Sequence, residues 1–229
     1  MNITDFYLAG HSMGAYIVAK YTLRYSKHVK KLLLWSPLGV EPTPENPKQF
    51  FYNNTKVWSI FEPIVWLAFS SSAKWHFNHV NIFRVGGRVW FNLFGKMALK
   101  NLTKALSDNE EAPYRYYKMQ TILAKESSEV VISYLMQNYI MPYEPIMDDL
   151  DTFKNLGIEV QFVYGNDNDF LHTDFDNSGK KVSEKLLDLG QECHILENSE
   201  HNLQLFEPER LINLLKEFAF NSNENAFNH

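Results

Sequence analysis

Three kinds of residue in this chain could together perform acyl chemistry: a serine between two glycines, a distant histidine, and a group of aspartates between them. Ser12 stands in Gly10-His11-Ser12-Met13-Gly14, where a short apolar run meets a stretch rich in alanine and tyrosine. A serine on so tight a strand-to-helix turn needs small residues two places before and after it, which the glycines supply. The turn lifts the hydroxyl above the end of the strand. An imidazole could take its proton there, while the Met13 backbone N–H faces the oxygen of an attacked carbonyl. The competing reading is a serine that merely caps the following helix. The flanking strand and helix patterns favour the reactive turn.

A nucleophilic serine needs a base, and the base needs a carboxylate that orients it. When the serine sits on such an elbow, the chain order is serine, acid, histidine. His201 fits this order, following the last apolar run in the loop Glu197-Asn198-Ser199-Glu200 and preceding the closing helix. His172 is a weaker competitor. His11 lies in the elbow, His194 lies in a strand run, and His28, His76, His79 and His229 are in the wrong order or region. The loop after Tyr164 offers Asp167, Asp169, Asp174 and Asp176 as the acid. A place just beyond the strand end favours Asp169, then Asp167, and leaves the others as turn formers.

The elements that must position these groups alternate in type. Residues 3–9 read as a buried strand and residues 15–25 as a helix with small Ala15 and Ala19 toward a sheet. Residues 29–35 and 158–164 read as further buried strands, 179–189 as a helix stopped by Gly190, and 192–196 as a short strand. Residues 207–220 read as a closing amphipathic helix with Leu211, Leu215 and Phe218 on its buried stripe, and residues 221–229 as a disordered tail. Near-continuous apolar strands alternating with helices predict a parallel α/β sheet covered on both faces.

Glu41 to Pro47 carries three prolines in seven residues and breaks this pattern. The expected organisation is therefore a core at residues 1–40, a helical insertion at 41–149, and a return to the core at 150–220. Residues 121–138 are its clearest helix. The insertion is rich in aromatic residues, Trp58, Trp66 and Trp90 among them. They can fill the core of a helical subdomain, or form an apolar cap that covers the serine and receives acyl chains.

At 229 residues the chain can bury a substantial core, and 45% hydrophobic with 21% charged content is ordinary for a globular protein. A net charge of −5 and the lack of an aromatic-and-basic module argue against nucleic acid as partner. The single cysteine, Cys193, excludes an internal disulfide and reads as an inert buried thiol. No metal-ligand cluster or glycine-rich phosphate loop is present, so no metal and no cofactor is expected. The longest apolar run near the middle of the chain, residues 64–69, is far short of the ~20 residues that cross a bilayer.

With these residues in place, the chain resembles the α/β-hydrolase superfamily, and more narrowly its abhydrolase-domain four/five subfamily of lipid hydrolases and acyltransferases. The likeness rests on Leu8-Ala9-Gly10-His11-Ser12-Met13-Gly14, Ala19-Lys20-Tyr21 with Tyr25, Ser36-Pro37-Leu38-Gly39, Lys125-Glu126-Ser127 and Phe162-Val163-Tyr164-Gly165. The resemblance implies a serine hydrolase or acyltransferase acting on phospholipids, lysophospholipids or related acyl esters. It implies a cytoplasmic setting with peripheral contact to membranes or a lipid-droplet surface. Some members carry asparagine in place of the nucleophile, whereas Ser12 is intact here. Many members carry H-x-x-x-x-D, linked with acyl transfer to lysophosphatidic acid; here Phe206 follows His201 at that spacing, and Glu207 comes one place later. The resemblance also places further strands, and the loop with a second oxyanion donor, ahead of Met1. On that basis the chain is expected to be the carboxyl part of a longer hydrolase and, alone, a poor catalyst.

Overall fold

The computed structural model describes residues 5–47, 49, 84, 87, 89, 128–138, 141–166 and 179–220. Four strands form one sheet in the order β1 (Phe6–His11), β2 (Val29–Trp35), β3 (Glu159–Gly165) and β4 (Glu192–Leu196), every pair parallel. Parallel neighbours need crossover connections, and right-handed crossovers in a sequential strand order send their helices to one face. α1 (Met13–Arg24) packs on β1 and β2. α2 (Ile132–Leu135) belongs to the other compact unit, whereas α3 (Leu150–Asn155) lies against β3, and α4 (Gly179–Asp188) against β3 and β4. After β4 come the single turn α5 (Leu203–Phe206) and the closing helix α6 (Pro208–Phe220). Leu211 and Phe218 of α6 bury themselves with Leu33, Val163, Leu196 and Leu203, so α6 closes the opposite face. Leu215, the third residue of the expected stripe, is partly buried beside them.

β1, expected as a buried strand over 3–9, runs Phe6–His11 and is only partly buried, with Tyr7 37% exposed, because it lies at the edge of the described sheet. β2 and β3 behave as their runs require. Leu32, Leu33 and Leu34 are all buried, as are Phe162, Val163 and Tyr164, because successive residues face the two covered sides. α1 begins two residues earlier than its apolar pattern indicates and ends at Arg24, with Ala15, Tyr16 and Ala19 on its buried side. The expected helix over residues 121–138 is shorter where it is described. A 3₁₀ turn, Ser128–Val131, leads into α2, and Met136 then turns extended to pair with Pro142. The tail at 221–229 lies outside the described residues.

By packing, the chain divides into two compact units, residues 1–42 with 144–229, and residues 43–143. In the second unit Gln137 donates to Thr43 Oγ1 (3.2 Å) and to the Pro142 carbonyl (3.1 Å), tying the first and last segments of that unit together. In the first unit the returning segment is held on α1. Tyr16 donates to the Glu144 carbonyl at 2.7 Å, and Lys20 meets Asp149 at 2.5 Å and Glu144 at 3.7 Å. Burial pushes the Asp149 carboxyl above its ordinary range, against the pull of Lys20. No described helix is long and apolar enough to cross a membrane.

Candidate active site

The sheet's carboxyl end carries the candidate groups, the usual place for a site in an open α/β sheet. β1 ends at His11, and Ser12 follows at φ 57° and ψ −123°, a backbone conformation that side-chain-bearing residues rarely adopt. Ser12 N–H donates to the Trp35 carbonyl at 3.1 Å. Its own carbonyl accepts from Ala15 (3.1 Å), Tyr16 (3.3 Å) and Leu38 (3.2 Å), so α1 and the turn after β2 grip the same peptide. The Ser12 side chain makes no capping bond to α1, which sets aside the helix-cap reading. Met13 is the first helical residue, so its N–H has no acceptor within the helix.

The two motif glycines are not equivalent. A Cβ at Gly10 would lie 2.7 Å from Ala15 Cα, the Gly14 carbonyl oxygen and Val18 Cγ2, so only glycine lets α1 sit this close to β1. A Cβ at Gly14 meets nothing within 4 Å among the described residues. Among the described residues, close packing demands a small residue at Gly10 and not at Gly14.

The histidine loop is seated with equal closeness. A Cβ on Gly165, the last residue of β3, would stand 2.3 Å from the Ser199 carbonyl oxygen and 2.8 Å from that of Glu200. Asn166 fastens the loop with its N–H on the Leu196 carbonyl (2.9 Å) and its side-chain amide on Glu197 (2.7 Å), while the Asn198 amide reaches Glu207 (3.2 Å). His201 is thereby buried, with 7% of its surface exposed. Its carbonyl accepts from His11 Nε2 at 2.9 Å, and the two imidazole rings lie 4.7 Å apart. The nucleophile strand and the histidine loop thus meet through His11, the residue before Ser12.

Ser12, Met13 and His201 are therefore brought to one end of the sheet. Asp169 and its rivals Asp167, Asp174 and Asp176 lie outside the described residues, as do His172 and the three tryptophans Trp58, Trp66 and Trp90. Among the described residues no group of three or more histidines, cysteines and carboxylates could hold a metal ion. Cys193 is half-buried in β4, and burial pushes its thiol up to about 12. Sequence reasoning missed two contributors. In the sequence His11 stands out only as a member of the elbow, and Gly165 only as part of the resemblance. Its place between an apolar strand and an aspartate-rich loop was the available signal.

Comparison with known proteins agrees with this fold. The family model for serine aminopeptidase, S33, matches residues 2–135. A probable 1-acylglycerol-3-phosphate O-acyltransferase of Oryza sativa is 24% identical over 174 residues, 72% of this chain and 39% of that protein. A (lyso)-N-acylphosphatidylethanolamine lipase of Homo sapiens is 23% identical over 182 residues, 80% of this chain and 49% of that protein. The chain thus spans less than half the length of these two relatives. Among solved structures, a meta-cleavage product hydrolase of Pseudomonas fluorescens superimposes with a TM-score of 0.52 at 15% identity, covering 96% of this chain and 66% of that one. That likeness establishes the α/β-hydrolase fold.

Proposed function

This chain belongs to the serine aminopeptidase S33 family of α/β-hydrolases, and we propose that it is a serine carboxylic-ester hydrolase acting on lipid acyl esters. The observation that carries the reading is Ser12, held at φ 57° at the end of a parallel strand with its side chain unused by the helix it precedes. Strain of this kind persists where the surrounding structure imposes it, and it serves to present a nucleophile. In the proposed mechanism His201 takes the Ser12 proton as the hydroxyl attacks the acyl carbonyl. Met13 N–H stabilises the oxyanion, and His201 then protonates the leaving alcohol. Water deacylates the enzyme by the same route. Asp169 is the proposed orienting acid, with Asp167 as its rival, and Asp169→Asn should cost more activity than Asp167→Asn.

The lipid part of the proposal draws on the names of the two relatives and on Trp58, Trp66 and Trp90, proposed to receive the acyl chain. Each buried CH₂ contributes roughly 0.8 kcal/mol, so long-chain lysophospholipids should outcompete short esters. The rice relative's name raises acyl transfer as a second reading, and Phe206 at the aspartate position of H-x-x-x-x-D weighs against it.

Labelling with a fluorophosphonate, together with hydrolysis of lysophospholipids of graded chain length, tests the proposal. The wild-type chain should label and hydrolyse, and Ser12→Ala should do neither. A wild-type chain that fails both assays would leave a non-catalytic lipid-binding module as the better description. Acylation of lysophosphatidic acid faster than hydrolysis would establish the second reading instead.

A further inference from the structure

We propose that His11 is a positioning residue for the base: it fixes His201 relative to Ser12 by holding the His201 backbone and one face of its ring. This rests on the hydrolase reading of Ser12 and His201 and adds to it a residue that the chemistry does not itself require.

A carbonyl can only accept, so the 2.9 Å contact fixes the roles: His11 Nε2–H donates to the His201 carbonyl. The His11 ring therefore carries a proton on Nε2. The bond grips the peptide of the very residue whose side chain must reach the serine. A second contact acts on the side chain, because the His11 ring lies 4.7 Å from the His201 ring at an interplanar angle of 37°. Trp35, from β2, backs the other partner of this pair, with its ring 6.4 Å from that of His11. Three rings thus run from β2 through β1 to the histidine loop. The nucleophile and the residue that locates its base are consecutive on one strand end. Any shift of β1 accordingly moves both.

The Asn166, Asn198 and Gly165 contacts act on other residues of this loop. Asn166 and Asn198 hold its earlier residues, and Gly165 underlies Ser199 and Glu200. Among the described residues, His11 joins His201 itself to the elbow through both its backbone and its ring. A base displaced by an ångström loses much of its rate, so the expected effect falls on the chemical step.

Two substitutions separate the parts of the contact. His11→Phe keeps a ring face and removes the donor; His11→Gln keeps an N–H near the Nε2 position. In steady-state hydrolysis of a lysophospholipid, His11→Phe should lower kcat by about tenfold or more with KM within about twofold, while His11→Gln stays within about threefold of wild type. Melting temperatures of both should lie within about 3 °C of wild type. Amide hydrogen exchange over residues 197–202 gives a readout independent of activity, and should quicken in His11→Phe but little in His11→Gln. Full kcat in His11→Phe, an equal loss in His11→Gln, or failure of His11→Phe to fold would each overturn the proposal. Loss of the hydrolase reading has a different signature, namely wild-type and Ser12→Ala chains indistinguishable in hydrolysis. Even then, unchanged exchange in His11→Phe would separately refute the positioning role.

Discussion

The two ends of the sheet meet the same geometric demand with different residues. At the amino end, the turns that feed β3 and β4 need a left-handed residue, and Gly157 (φ 68°) and Gly190 (φ 72°) fill the positions at no steric cost. Asp5 (φ 62°), ahead of β1, uses a residue type that tolerates this region. At the carboxyl end, the residues directly after β1 and β2 also have positive φ, yet they are serines, Ser12 at 57° and Ser36 at 40°, and glycine enters only later in the second turn, as Gly39 at 71°. Glycine would be easier at both. Ser36 is buried, with its N–H on the Val163 carbonyl at 2.8 Å, and its turn delivers Leu38 N–H to the Ser12 carbonyl. Side chains tie both ends, Lys31 to Glu159 at 2.8 Å and Gln161 to Glu192 at 2.5 Å at the amino end, and Asn166 to Glu197 at 2.7 Å at the carboxyl end. The amino end places glycine or aspartate at its left-handed positions, and the carboxyl end holds two serines in strained backbone. The difference teaches where the fold spends its stability.

The strongest way to break this comparison is at Ser12. Ser12→Ala should lower kcat for ester hydrolysis by at least about a thousandfold, as expected when a nucleophile is removed. Ser12→Gly should be as inactive, yet more stable than wild type by about 1 kcal/mol or more, because the strained position then loses its Cβ. Urea denaturation of the two variants measures the gap. If glycine brings no stability over alanine, the serine turn is not strained and the contrast between the ends disappears.

Next in size is Gly165, which supports the histidine loop. Gly165→Ala places a Cβ where the Ser199 carbonyl oxygen stands, so the loop must lift and carry His201 with it. We expect a loss of about a hundredfold in kcat, the scale for a catalytic group misplaced by an ångström, with the secondary structure retained by circular dichroism. A Gly190→Ala variant, at the amino end, should lose stability through its positive φ but keep its kcat.

Much of this was legible in the sequence, and the reasons are local. The apolar runs that became β2 and β4 have the bounds their composition indicated, because nothing but a buried strand suits Leu32-Leu33-Leu34 between polar turns. The closing helix announced itself through Pro208 and the spacing of Leu211 and Phe218. What the sequence could not show is contact between distant segments. Gly165 resembles any strand end until the histidine loop is laid over it, and His11 is unremarkable until His201 arrives from 190 positions away. The helix expected through residue 138 fails for a similar reason: Met136 finds a partner at Pro142 that no periodicity reveals.

The motif itself invites a sharper test, since Gly10 and Gly14 look alike in the sequence and differ in the structure. Gly10→Ala forces α1 away from β1 and should destabilise the chain by about 1–3 kcal/mol, the cost of overpacking. Gly14→Ala should be neutral or slightly stabilising, since alanine is the better helix former by about 1 kcal/mol. Thermal melts of the pair decide between the two. Equal losses would mean that Gly14 faces a neighbour absent from the described residues.

The smallest expected effect lies at Tyr16, where α1 holds the returning segment. Burial pushes its phenol from an ordinary 10.0 up to about 12, outweighing the backbone bond that pulls the other way. Tyr16→Phe removes the bond to the Glu144 carbonyl and should cost about 1 kcal/mol at neutral pH. The dependence on pH is more telling than that loss. Between pH 10 and about 12 the folded phenol keeps a proton that the unfolded chain has already released. The native state then binds more protons than the unfolded one, so stability falls as pH rises through this window and is intact below it. Asp149, raised from its carboxylate range, loses its proton at far lower pH and does not share the window. The wild-type chain should therefore lose stability above pH 10 faster than Tyr16→Phe, and the two curves should converge. Parallel curves would place the Tyr16 hydroxyl in water, and the clamp between α1 and the returning segment would then rest on Lys20 alone.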